Sequence, residues 1–384
     1  MFEFATATRI LFGKGSLQQV PAAAAGWGNR VFVVTGRSAE RAAPLLDALH
    51  SQDLKTSLYH VLGEPTVAMV IEAVNQARHT ESDVVIGLGG GSAIDAGKVV
   101  AALLTNNGDM MEYLEVVGEG RSIQIEPAPY IAIPTTAGTG AEVTRNAVLG
   151  VPSHRRKVSM RSPMMLPRLA VVDPELTYSL PPDVTAYTGL DALTQVIEPF
   201  ISHMANPLTD TICREGIRRA ARSLNQAYDN GCDSGARVDM AFASLCGGLA
   251  LANAKLGAVH GLAGPLGGEI VAPHGAVCGC LLPYVMEVNL KALEQRSRDA
   301  NLQARFDELG PLLTGRSEAS ASEAISWIFA LCERLRTKPL ATWGLVADEI
   351  PRIAEVARTS SSMKGNPIEL THDEIVSILQ KAYS

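Results

Sequence analysis

V-V-I-G-L-G-G-G-S-A-I-D-A-G-K, residues 84–98, is the stretch whose reading decides the fold. An apolar run through Leu88, glycines at Gly89, Gly90 and Gly91, and Ser92 opening a segment with Ala, Ile, Val and Leu at helical spacing read as strand, tight turn and helix. Such a turn aims backbone N–H groups and the positive end of a helix at whatever lies above it. Glycines remove the Cβ atoms that would hold a diphosphate away, and Ser92 with Asp95 three residues on is expected to form a capping box. The functional reading is a cradle for a dinucleotide pyrophosphate. A glycine-rich turn that binds nothing is the alternative, because the G-x-G-x-x-G fingerprint is absent. A second loop favours the cradle: after the apolar Tyr130–Pro134 comes T-T-A-G-T-G-A-E-V-T, residues 135–144, whose interleaved hydroxyls and glycines suit phosphate and ribose oxygens.

Composition narrows the function class. At 384 residues the chain is long enough for two domains, and 47% hydrophobic with 19% charged residues describes a compact protein. A net charge of −7 gives no reason to expect nucleic-acid binding, so a small-molecule substrate is sought. The start, M-F-E-F-A-T-A-T-R-I, has no basic region leading into an apolar core, and no apolar run reaches bilayer-spanning length, 325–332 being the longest. A cytoplasmic protein that meets no membrane is expected. Six scattered cysteines do not form a disulfide framework. Cys278 and Cys280 stand near His274 and could ligate a metal, but two small buried apolar residues is the preferred reading.

In chain order, strands are expected over 4–12, 29–38, 57–61, 84–88 and 130–134, with helices over 17–25, 40–49, 66–78 and from Ser92 to about Leu104. Alternation with short connections implies a mostly parallel sheet covered on both faces, with ligands at the carboxyl ends of its strands. From about Pro181 strand-like runs stop and long helical periods begin, over 186–204, 207–228, 234–259 and 276–290. The expected fold is therefore an N-terminal α/β dinucleotide-binding domain with a parallel sheet, 1–181, followed by an all-helical metal and substrate domain, 182–384. The polar loop 359–367 is read as interhelical, with Thr371 capping the last helix.

Gly36 bears on the cofactor. An acidic residue at the end of an early strand grips the adenosine ribose 2′-hydroxyl and repels a 2′-phosphate. Here Gly36, Arg37 and Ser38 occupy that place, which predicts that NADP is accepted and preferred over NAD.

Asp191 and Gln195 are four apart on one helix face; His260 is read at the end of the third long helix and His274 at the start of the next. One carboxylate, two imidazoles and a weak amide oxygen are a start for a divalent metal, although a histidine at a helix end is more often a cap.

These residues carry a resemblance. F-G-K-G-S, G-G-G-S-A-I-D, P-T-T-A-G-T-G-A-E-V-T, D-P-E-L-T-Y-S-L-P-P, T-G-L-D-A-L-T-Q-V-I-E, V-H-G-L-A-G-P-L-G-G and P-H-G together resemble the iron-containing, or group III, alcohol dehydrogenase family over nearly the full length. The resemblance implies an α/β dinucleotide domain, a helical domain, a deep cleft between them, a homodimer or larger assembly, and hydride transfer between NAD(P)H and a small alcohol or aldehyde. By motif position the cofactor contacts would be Gly36, Gly89, Gly90, Gly91, Ser92, Asp95, Thr135, Thr136, Thr139, Thr144 and Lys157, with Arg37 and Ser38 beside Gly36. Asp191, His260 and His274 match three ligand positions for iron or zinc and are the expected catalytic residues.

Two positions depart from the family. Gln195 stands where its D-A-L-T-H histidine belongs, and Gly264 replaces the second histidine of H-x-x-x-H. A Gln amide is a weaker donor than imidazole, which leaves two mechanisms open. In the first, a divalent metal bound by Asp191, Gln195, His260 and His274 acts as a Lewis acid on the substrate oxygen. In the second, the same side chains hydrogen-bond that oxygen directly, as the resemblance to metal-free maleylacetate reductases implies. A dehydroquinate-synthase-like enzyme and a non-catalytic cofactor-binding protein are weaker alternatives.

Overall fold

A computed structural model describes residues 1–384 apart from Arg155 and Arg298. The chain divides into two compact units, one of Phe4–Thr136 with Gly140–Tyr178 and one of Met1–Glu3, Ala137–Thr139 and Ser179–Ser384.

The first unit holds strands β1 (Ile10–Phe12), β2 (Arg30–Thr35), β3 (Lys55–His60), β4 (Val84–Gly89), β5 (Tyr130–Pro134), β6 (Asn146–Val151), β7 (Arg156–Arg161) and β8 (Leu169–Val172). Its helices are α1 (Val20–Ala25), α2 (Ala43–His50), α3 (Val67–His79), α4 (Gly91–Thr105) and α5 (Met110–Tyr113). Six strands form a parallel sheet in the order β1-β8-β5-β4-β2-β3, and β6 with β7 forms a separate antiparallel hairpin. β2 shows why the sheet is covered twice: Val31 and Val33 pack with Leu45 and Leu49, while Phe32 and Val34 pack with Val70, Ala73 and Val99. Both faces are apolar, so the strand carries a continuous hydrophobic run over 31–34. The register sets Thr35 beside Leu88 and Gly89 beside Pro134, which brings the carboxyl ends of β2, β4 and β5 side by side.

Two expectations about this unit are corrected. The strand over 4–12 is confined to Ile10–Phe12, the three residues that pair with β8. The capping box of Ser92 and Asp95 does not form. The N-cap is Gly90, so Ser92 lies inside the helix, and Asp95 instead accepts the Val148 amide at 2.9 Å.

The second unit is built of helices α6 (Pro182–Ile201), α7 (Pro207–Asp229), α8 (Ser234–Ala254), α9 (Ala258–Glu269), α10 (His274–Arg296), α11 (Ala300–Thr314), α12 (Ala321–Arg334), α13 (Ile350–Arg358) and α14 (His372–Tyr383). Local chemistry sets many starts: Pro182 occupies the first turn of α6, Asn206 forms a capping box with Thr209, and Thr371 with Glu374 caps α14. By length and composition α8 and α10 could span a bilayer, contrary to the expectation that no run reaches that length. Most of each helix is buried within the protein, where core packing accounts for the apolar composition.

The helix expected over 234–259 is two helices. α8 stops at Ala254, Lys255 takes φ 59°, and α9 begins at Ala258. Consequently His260 lies in the first turn of a new helix instead of at the end of an old one.

Candidate active site

Three helices bring one cluster together. Asp191 from α6, His260 from α9, and His274 and Cys278 from α10 place a carboxylate oxygen, two imidazole nitrogens and a sulfur within 4.8 Å of one another. Asp191 Oδ1 lies 3.3 Å from His260 Nε2 and 4.0 Å from His274 Nε2. Cys278 Sγ lies 3.8 Å from His260 Nε2 and 3.6 Å from His274 Nε2. Asp191 is buried, and its Oδ1 has no hydrogen-bond partner. A buried carboxylate oxygen left without a donor is costly unless something positive meets it.

The imidazole of His260 is aimed from behind. Its Nδ1 donates to Glu198 Oε2 at 2.6 Å, and Glu198 Oε1 accepts the Val259 amide at 2.7 Å. Glu198 thereby fixes the ring orientation, so Nε2 is the atom that faces Asp191 and Cys278. Burial pushes the Asp191 carboxyl up, but the facing imidazoles overcome it and hold the group below the usual carboxylate range. Burial would lower His260, yet Cys278 and Glu198 raise it well above an ordinary histidine. Cys278 likewise sits below a free thiol, because His274 and His260 outweigh its desolvation.

Gln195, expected as a fourth ligand, lies one turn beyond Asp191, and its Nε2 donates to Gly138 O at 2.7 Å. Gly264, where the family's second histidine is missing, opens on empty space: a Cβ there would meet nothing within 4 Å.

The expected cofactor residues fall into three groups. Gly36 follows β2, Gly89, Gly90 and Gly91 end β4 and begin α4, and Thr135 and Thr136 follow β5, so these stand together at adjacent strand ends. Arg37 and Ser38 are exposed beyond Gly36, and Ser92 lies in the first turn of α4. A Cβ on Gly36 would meet nothing within 4 Å, whereas one on Gly89 would lie 2.7 Å from Ala93 Cβ. Asp95 and Thr144 face a buried lysine instead: Lys98 Nζ donates to Ala141 O (2.9 Å), Thr144 Oγ1 (3.0 Å) and Asn146 O (2.7 Å), and lies 3.8 Å from Asp95. Lys157 is on β7 and pairs with Glu64 at 2.6 Å, while Thr139 belongs to the second unit.

Sequence reasoning passed over Glu198 and set Cys278 aside. Both had a signal: Glu198 is two turns from Asp191 on α6, and Cys278 is one turn from His274 on α10. Lys98 gave none, since a lysine in a helix is ordinarily solvated.

Comparison with known proteins fits this geometry. The family model for iron-containing alcohol dehydrogenase matches residues 7–174, and the C-terminal model of the Fe-containing alcohol dehydrogenase family matches residues 185–383. The chain belongs to the iron-containing alcohol dehydrogenase family. It is 34% identical over 337 residues to alcohol dehydrogenase 4 of Saccharomyces cerevisiae, covering 87% of this chain and 85% of that protein. It is 36% identical over 308 residues to 1,3-propanediol dehydrogenase of Klebsiella pneumoniae, covering 80% and 77%. A crystal structure of 1,3-propanediol oxidoreductase superposes with a TM-score of 0.92 at 31% identity, covering 100% of both chains. The iron-containing alcohol dehydrogenases use NAD(P) and a metal, and this member is an oxidoreductase that acts on CH–OH groups. The donor set fits a divalent ion, because the unpartnered Asp191 Oδ1 and both Nε2 atoms converge where a cation would satisfy them.

Proposed function

We propose that this alcohol dehydrogenase interconverts a small alcohol and its aldehyde with NADP as the favoured coenzyme. Asp191, His260 and His274 would hold a divalent metal and form the catalytic centre. The observation that carries this reading is the unpartnered, buried Asp191 Oδ1 facing two imidazoles from different helices. When bound, the nicotinamide supplies or accepts the hydride and the metal ion polarises the substrate oxygen.

The chain's own residues divide the remaining work. Gly90 and Gly91, at the start of α4, let backbone N–H groups approach the diphosphate, and the α4 dipole favours its charge. Thr135 and Thr136 at the next strand end supply donors for phosphate or ribose oxygens. Ser92, Thr139 and Lys157 complete the proposed coenzyme contacts, while Asp95 and Thr144 act from behind them through Lys98. Gly36 leaves room for a 2′-phosphate and no carboxylate to repel it, while exposed Arg37 and Ser38 provide charge and a hydroxyl. Glu198 keeps the His260 proton on Nδ1, so Nε2 stays available to the reacting end of the site.

Metal analysis of protein purified without chelators tests the reading, together with NADPH-dependent reduction of short aldehydes before and after chelation. Activity that persists after complete metal removal overturns the metal-assisted mechanism. For the coenzyme, Arg37→Ala is expected to raise KM for NADP and leave KM for NAD unchanged.

A further inference from the structure

We propose that Cys278, and not the Gln195 amide, is the fourth protein ligand of this centre, and that the site therefore selects zinc over iron. The inference rests on the proposed metal site of Asp191, His260 and His274 and adds one ligand and a metal preference to it.

The distances carry the assignment. A tetrahedral zinc ion with bonds of about 2.0–2.1 Å to nitrogen or oxygen and 2.3 Å to sulfur sets N···O edges of about 3.3 Å and N···S edges of about 3.6 Å. The edges here are 3.3 and 4.0 Å from Asp191 to the two histidines, and 3.8 and 3.6 Å from Cys278 to the same two. Cys278 is thus as well placed as the carboxylate. Its position follows from α10: His274 opens the helix, and Cys278, four residues on, projects from the same face one turn later. Cys280 shares no part of this, since its thiol donates to Ala382 O at 3.4 Å.

Chemistry gives the direction of selectivity. The Gln195 side chain already donates to Gly138 O, and an uncharged amide oxygen is a weak ligand for a borderline ion. A thiolate is a soft anion, and together with the Asp191 carboxylate it balances the charge of a divalent ion. Two imidazoles, one carboxylate and one thiolate match zinc or cobalt, whereas iron gains more from harder donors and further positions. On binding, the Cys278 thiol releases its proton to solvent and the S–metal bond replaces the S–H bond. Zinc also tolerates a fifth ligand, which leaves a place for the substrate oxygen.

Chelated full-length protein loaded with Co(II) tests this on the wild-type chain, without any substitution that could disturb folding. An intense near-ultraviolet thiolate-to-cobalt charge-transfer band is expected. Cys278→Ser should abolish the band and weaken zinc binding roughly tenfold or more in competition with a chromogenic chelator, while Gln195→Ala keeps both. Zinc should also displace Fe(II) from the wild type. Cobalt bound without the band, or Cys278→Ser holding zinc as tightly as wild type while His260→Ala loses it, overturns the Cys278 ligand and leaves the three-residue site standing. A wild-type chain that takes up neither zinc nor cobalt overturns both.

Discussion

Glu198 grips the turn that carries His260 with both oxygens, taking the ring Nδ1 at 2.6 Å and the Val259 amide at 2.7 Å. An anion behind a ligating imidazole fixes its tautomer and raises its basicity. Glu198→Gln keeps the shape and removes the charge. Zinc affinity is expected to fall about 10–100-fold. Chelator competition reads the loss, and unchanged affinity in a folded variant would remove Glu198 from this role.

Asn366 organises the same turn from another helix connection. Its Oδ1 accepts the Ala258 amide at 3.0 Å and Asn289 Nδ2 at 3.1 Å, and its Nδ2 donates to Asn289 Oδ1 at 2.7 Å. Asn366→Ala strands buried partners and should cost about 1–3 kcal/mol. Urea unfolding measures this, and a cost near zero would show that the network is dispensable.

Gly87 and Gly97 seat Tyr130 beneath α4. A Cβ on Gly87 would come 2.2 Å from the Tyr130 hydroxyl, which itself donates to Ile94 O at 2.7 Å. Gly87→Ala is expected to destabilise by about 1–3 kcal/mol through overpacking. Adding Tyr130→Phe to that variant should recover part of the loss; strictly additive effects in a double-mutant cycle would refute the contact.

The buried pair of Glu142 and Lys98 predicts how stability varies with pH. Burial pushes Glu142 up to about 7 from 4.5 and Lys98 down to about 8 from 10.5. Between 4.5 and about 7 the folded chain holds a proton at Glu142 that the unfolded chain has released, so stability falls as pH rises through that window. Above about 8 the folded chain has lost the Lys98 proton that the unfolded chain still holds, so stability rises again toward 10.5. Urea midpoints across pH should show the falling limb in wild type and its flattening in Glu142→Gln. Parallel profiles for the two proteins would rule this out.

By itself the sequence determined the α/β unit with its parallel sheet, the glycine turn at Gly89 to Gly91 and the switch to helices near Pro181, and it singled out Asp191, His260 and His274, three of the four side chains that cluster with Cys278. Strand and helix periodicity are local, and the adjacent ends of β2, β4 and β5 follow from a parallel register, so these were legible. The tertiary structure alone decided the break at Lys255 to Gly257, the grip of Glu198 on His260, the inward turn of Asp95 and Thr144 to Lys98, and the entry of Cys278 into the cluster. A Cβ on Gly257 would stand 3.0 Å from both Asn366 Oδ1 and Glu198 Oε1, so the turn exists because distant side chains close on it. Donor atoms on α6, α9 and α10 converge through packing, and no spacing along one helix encodes where another will present its side chains.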